Sequence, residues 1–155
     1  NNVSDFGITC FTEYVSSPAQ WAHYGDNHRG VAIEFKLDGF SEEFPAIPVR
    51  YVNNPPKLNL IKDNYGSLYL MGGYTKSDDW LYEKEWRIIK IDGADTYLDI
   101  PFDRITSVIL GIDCHPTTEQ TLIKINNKLE KLDKEPFKIR RARLSDDTYN
   151  ITCET

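Results

Sequence analysis

Apolar and polar positions alternate from Phe6 to Glu13. Ile8, Cys10 and Thr12 point one way, Thr9 and Phe11 the other, which predicts a first strand. Ser17-Pro18-Ala19-Gln20 then reads as a helix start, with Ser17 at the N-cap, Pro18 at the first helical position and Gln20 where a capping-box partner belongs. Gly25 is placed to stop that helix. The result is a two-turn element carrying Trp21, His23 and Tyr24, too short to persist without packing. Arg29-Gly30 turns the chain into a second strand, Val31 to Lys36, where Val31, Ile33 and Phe35 alternate with Ala32, Glu34 and Lys36. A loop from Leu37 to Glu43 leads to a third strand, Ala46 to Val52. Its Pro48 has no N–H to give to a ladder and suits an edge or a bulge.

Asn53-Asn54-Pro55-Pro56 breaks the pattern, and Leu58, Ile61, Tyr65 and Leu68 then recur at helical spacing up to Gly72-Gly73, with Gly66 as a weak point. The run Trp86-Arg87-Ile88-Ile89-Lys90-Ile91 predicts a central strand, because consecutive isoleucines ask for burial on both faces. Ile105 to Ile112 makes the same demand. Thr117-Thr118-Glu119-Gln120 fits a capping box opening a helix with Leu122, Ile125, Leu129 and Leu132 as its apolar stripe. Two strands follow, near Phe137 to Leu144 and Thr148 to Cys153, joined by Ser145-Asp146-Asp147. In the first, apolar parity shifts from Phe137 and Ile139 to Ala142 and Leu144, which a bulge at Arg140-Arg141 would explain. Strands mixed with two or three helices predict an α+β fold with a mixed, mostly antiparallel sheet.

The totals narrow the function. A chain of 155 residues with 40% hydrophobic and 27% charged content reads as one domain with a real core. Net charge is −6, which argues against nonspecific nucleic-acid binding as the main task. No apolar run approaches the length of a membrane span. Asn1 to Asp5 shows neither the basic nor the apolar region of a secretory signal, and without an initiator Met the chain reads as processed or as a piece of something longer. Cys10, Cys114 and Cys153 are far apart and odd in number, as expected of reduced thiols in the cytoplasm. Three histidines without paired ligand spacing speak against a metal site.

Two clusters carry the candidate chemistry. In the first, a flat ligand such as a nucleotide base can stack on Trp21 or Tyr24 with His23 supplying a proton or a hydrogen bond, while Gly30 admits close backbone approach. The same spacing lets Trp21 and Tyr24 simply anchor the helix, and Asp26, Asn27 and His28 read as turn residues. The second is Trp80-Leu81-Tyr82-Glu83-Lys84-Glu85-Trp86-Arg87. Read as a strand, it sends Glu83, Glu85 and Arg87 to one face. A carboxylate half-desolvated there either pairs with a cation or is poised for chemistry. A third stretch, Lys138 to Arg143, reads as a charged edge that discourages strand aggregation, or as a phosphate contact.

The segment from Trp21 to Phe35, followed by Lys76, Trp80, Tyr82 to Arg87 and Val108-Ile109-Leu110-Gly111, resembles the bacterial family named domain of unknown function 2971. The W-x-H-Y-x-x-x-x-x-G-x-x-I-x-F and K-x-x-x-W-x-Y-E-x-E-x-R pieces carry the likeness, over residues 7 to about 133. Members have an additional N-terminal portion that this chain lacks, so a site completed by that portion would be half absent here. The resemblance implies an intracellular bacterial protein whose distinctive residues are the two clusters. Two functions are open. One is a binding module whose polar and aromatic pocket takes a nucleotide-like ligand or a partner segment, with Glu85 and Arg87 an ion pair tying the short helix to the sheet. The other is an enzyme similar to ADP-ribosyltransferases. It would use NAD, with Glu85 and Glu83 as the catalytic carboxylates, Trp21 or Tyr24 stacking on nicotinamide and Arg87 orienting Glu85. Both expect His23 or Tyr24 within a side-chain length of Glu85. Oligomeric state is left open.

Overall fold

Ile88 and Ile89 are both buried, on opposite faces of a strand flanked on either side, as their consecutive placement demands. The structure is a computed structural model that describes residues 6–36, 45–57, 71–91 and 93–154. Its strands are β1 (Phe6–Thr12), β2 (Val31–Phe35), β3 (Ile47–Pro48), β4 (Arg50–Val52), β5 (Thr75–Ser77), β6 (Glu85–Ile91), β7 (Ile105–Leu110), β8 (Lys138–Leu144) and β9 (Ile151–Glu154). Among the described residues its helices are α1 (Pro18–Tyr24) and α2 (Pro116–Lys131), with helical residues also at 71–73 and 3-10 turns at Asp78–Glu83 and Phe102–Arg104. The expected loop over 37–43 and the helical spacing from Leu58 to Leu68 lie outside the described residues. The fold is α+β, and most strand pairings are antiparallel. No described helix is long and apolar enough to cross a membrane.

Contacts within the chain gather into two units, one of Asn1–Tyr14 with Gly39–Asp99, the other of Val15–Asp38 with Ile100–Thr155. In the first, β6 lies between β1 and β3, pairing antiparallel with β1 from Phe6↔Ile91 to Thr12↔Glu85. Pro48 is on the edge strand β3, opposite Trp86, where its missing N–H does no harm. The expected third strand, Ala46 to Val52, divides in two. Val49 sends its N–H to Glu85 O (2.9 Å) and Arg50 to Tyr74 O (2.8 Å), so the chain leaves one sheet and β4 joins β5 in parallel.

The expected strand through Trp80 is also corrected. Residues 78 to 83 form a 3-10 turn capped by Ser77, whose Oγ accepts from Asp79 N–H at 3.4 Å. Lys84 then adopts φ 44°, ψ 53°, and β6 starts only at Glu85. Alternating charge imitates a strand, but a capping serine ahead of Asp78-Asp79 favours a helical turn.

In the second unit the sheet order is β2-β7-β8-β9. β7 and β8 run parallel, which needs a crossover, and α2 supplies it. Val108 packs on one face with Leu129 and Phe137, and Ile109 on the other with Trp21, Ala142 and Ile151. The α2 cap is His115 rather than Thr117: Pro116 takes the first helical position, and His115 Nδ1 accepts from Thr117 N–H at 3.3 Å. Of its expected stripe, Leu129 is buried while Leu132 is 67% exposed.

β8 is an interior strand, not the charged edge its basic residues suggested. Nor does it bulge at Arg140-Arg141. Its first half pairs with β7 and its second with β9 without a register shift, and this change of partner accompanies the change of parity. Arg141 is accommodated by Glu119 of α2, at 2.7 Å. The bulge lies in β2 instead, between Glu34 and Phe35. The last strand starts at Ile151 rather than Thr148, because Ser145 ties residues 145–150 into a turn.

Candidate functional site

The two expected clusters fall in different units. In the second unit Ser17 caps α1, its Oγ accepting from Gln20 N–H at 3.4 Å with Pro18 next in line. This fixes Trp21 on the buried face. Its ring is only 4% exposed, and Nε1–H donates to Val15 O at 2.7 Å. Trp21 is therefore a core anchor, and among the candidate stacking rings only Tyr24, 70% exposed, presents itself to solvent. His23 is exposed beside it, with the two rings edge to face at 6.1 Å. Trp21→Phe should destabilise the protein by about 1 kcal/mol, since Val15 O loses its donor, whereas Tyr24→Ala should stay within about 0.5 kcal/mol. Urea denaturation of the two variants tests that ordering.

After Gly25, three consecutive residues take positive φ: Asp26 (48°), Asn27 (50°) and His28 (67°). Asp and Asn tolerate this conformation better than most, and backbone hydrogen bonds hold it. His28 N–H donates to Trp21 O (3.2 Å), Gly30 N–H to Gly25 O (2.8 Å), Gly111 N–H to Gly30 O (2.9 Å) and Asp113 N–H to His28 O (3.1 Å). The close approach expected at Gly30 is thus taken up by the chain's own backbone at the end of β7. Crowding around Arg29-Gly30 is explained by this left-handed turn.

In the first unit Glu83 (3% exposed) and Glu85 (6%) are buried together. They converge although Glu83 ends a 3-10 turn and Glu85 begins a strand, because the left-handed Lys84 reverses the chain between them. Arg87 grips Glu85 as a fork, Nε to Oε1 at 2.7 Å and Nη2 to Oε2 at 3.0 Å, and its Nη1 donates to Gly73 O at 2.6 Å. Lys76, on β5, donates to both carboxylates, reaching Glu85 Oε2 at 3.0 Å and making a short contact with Glu83. Tyr51 Oη accepts from Glu85 N–H at 2.8 Å, and Thr12 Oγ1 donates to Glu83 O at 2.6 Å. Two carboxylates and two cations therefore cancel within a partly dry cluster.

Burial works against charge on Glu85, but hydrogen bonds from Arg87, Cys10 and Lys76 outweigh it and hold the carboxyl down at about 2. Cys10, paired across the strands with Arg87, has its thiol pushed up to about 11, by burial first and then by Glu85 as hydrogen-bond acceptor and neighbouring charge. Desolvation opposes the charges of Lys76 and Arg87 as well, yet their carboxylate partners raise both. Cys10 should consequently alkylate more slowly at pH 8 than an ordinary thiol, and Glu85→Gln should speed it. Iodoacetamide labelling followed by mass spectrometry reads this out, and equal rates in the two proteins would count against the coupling.

Lys76, Tyr51 and Cys10 escaped the sequence argument as site residues. Lys76 does stand in the K-x-x-x-W-x-Y-E piece, seven positions before Glu83, and that spacing was the available signal. Its Nζ also lies 4.9 Å from the ring centroid of the exposed Trp80, over the ring face. Among the described residues no group of three or more His, Cys, Asp or Glu is placed to hold a metal ion.

Residues 20–88 match the model of a family described as protein of unknown function (DUF2971). The match is narrower than the likeness expected over 7 to about 133, yet it contains both clusters. No curated protein and no solved structure matches the chain.

Proposed function

We propose, for a chain whose residues 20–88 match the DUF2971 model, a non-catalytic binding module that works in the cytoplasm and takes a nucleotide-like ligand or a partner segment. The observation that supports this reading is the engagement of Glu85. Both of its oxygens accept from Arg87, one also from Lys76, and its carboxyl is held down at about 2. A general acid or base is tuned towards working pH instead, and a carboxylate locked in a fork serves as scaffold. Each unit also exposes aromatic groups on which a partner segment could pack, Tyr24 and His23 in one and, separately, Trp80 and Tyr82 in the other.

The alternative is an ADP-ribosyltransferase-like enzyme in which Glu85, with Glu83, acts on NAD. It needs an ionised carboxylate, which Glu85 is, but one that can leave Arg87 to stabilise the positive charge developing on ribose. Incubating the protein with labelled NAD and cell extract, wild type beside Glu85→Gln, separates the two. The binding module transfers no label in either form. Transfer by the wild type that disappears in Glu85→Gln would replace it with the enzymatic function.

A further inference from the structure

We infer that the groove at one end of the second unit's sheet is the module's ligand site and that it takes a nucleoside phosphate, an inference that rests on the binding function proposed above. The groove measures about 1180 Å³ and forms where β2 ends and β7 and β8 begin. Because β7 and β8 are parallel, Ser107 and Lys138 stand side by side, and antiparallel β2 brings Glu34 against Ser107. The bulge after Glu34 then sets Phe35 opposite Ile105, so an apolar wall of Phe35, Ile105 and Phe102 adjoins a polar one.

Cations collect around the groove although the chain carries a net charge of −6. Lys36, Lys134 and Lys138 line the groove, and none has an ion-pair partner among the described residues. Arg140 is held at its margin by Glu34 (3.7 Å) and by the Cys153 carbonyl (3.4 Å), with its buried Nε left without a partner among the described residues. Ser107, 1% exposed, donates to Glu34 and fixes that carboxylate where it steadies Arg140. Asp103 and Glu135 also line the groove and can accept from amino or hydroxyl groups. An aromatic wall beside clustered ammonium groups, with carboxylates for the remaining donors, matches a base, its phosphate and its ribose.

The test is an NMR titration of the whole chain with ADP, with pyrophosphate and with adenosine as separate arms, beside the Lys134→Gln/Lys138→Gln protein. Both lysines are exposed, so the fold should be kept. The expected result is saturable shifts at Phe35, Phe102 and Lys138 with ADP, and an affinity at least about tenfold lower in the double variant. Pyrophosphate should bind more weakly than ADP and adenosine more weakly still. Saturable shifts elsewhere, or an affinity unchanged by the two substitutions, would overturn this site while leaving the binding function standing. No saturable shift with any probe would overturn the site. Label transfer from NAD that Glu85→Gln abolishes is the separate result that removes the binding function.

Discussion

Gly111→Ala should lower stability by about 3 kcal/mol or more, among the largest single losses in this chain. A β-carbon at position 111 would stand 2.1 Å from His28 O, 2.7 Å from His28 C and 3.0 Å from Gly30 O. All three are backbone atoms, so no side-chain rotation relieves the overlap. Either β7 retreats or the left-handed turn opens. Opening the turn breaks the bonds from Gly111 N–H to Gly30 O and from Asp113 N–H to His28 O. The turn in turn fixes the end of α1, so Trp21 should loosen as well. Urea denaturation monitored by tryptophan fluorescence measures the loss, and a change below about 1 kcal/mol would show that the contact yields.

Lys76→Met should cost about 3–5 kcal/mol, as expected when one partner of a buried charge network is removed. Glu83 and Glu85 would then face one another with Arg87 as the remaining cation, and Arg87 is already committed to Glu85 and Gly73 O. Adding Glu83→Gln should restore part of the stability by removing the charge left uncompensated. A double variant no more stable than Lys76→Met would mean that Lys76 contributes through packing alone.

The same network sets acid sensitivity. The Glu85 carboxyl lies at about 2 in the folded protein against 4.5 for an ordinary glutamate, so its contribution is full above about pH 5. It is lost as pH falls from about 4.5 towards 2, because the unfolded chain takes up the proton first. Glu85→Gln should flatten the stability profile in that window. An unchanged acid limb would place the sensitivity elsewhere.

Local elements were the legible part of this molecule. Alternation from Phe6, the Ser17-Pro18 cap, the stop at Gly25 and the consecutive isoleucines of β6 each depend on a few adjacent residues, and the structure has them where the pattern put them. Local competition explains several misses. Around Trp80 charge alternation and a capped 3-10 turn suit the same residues, and at 115–117 two cap signals overlap. The role of Trp21 was open because spacing cannot distinguish a ring that packs inward from one that stacks on a ligand.

From sequence alone came the α+β class, the central strands, the Ser17 cap and Gly25 stop of α1, and the grouping of Glu83, Glu85 and Arg87 as one chemical unit. Tertiary structure alone decided that β8 is interior, that Lys76 joins that unit, and that the residues after α1 serve a backbone lock with Gly111. The division has a physical cause. Hydrogen-bond periodicity and side-chain caps act across three or four residues, whereas β4 meets β5 and β7 meets β8 across stretches of chain whose ends the sequence does not label. A parallel partner leaves no turn signature next to the strand it joins, and a half-buried cation such as Lys76 is identified only by the buried carboxylates it meets.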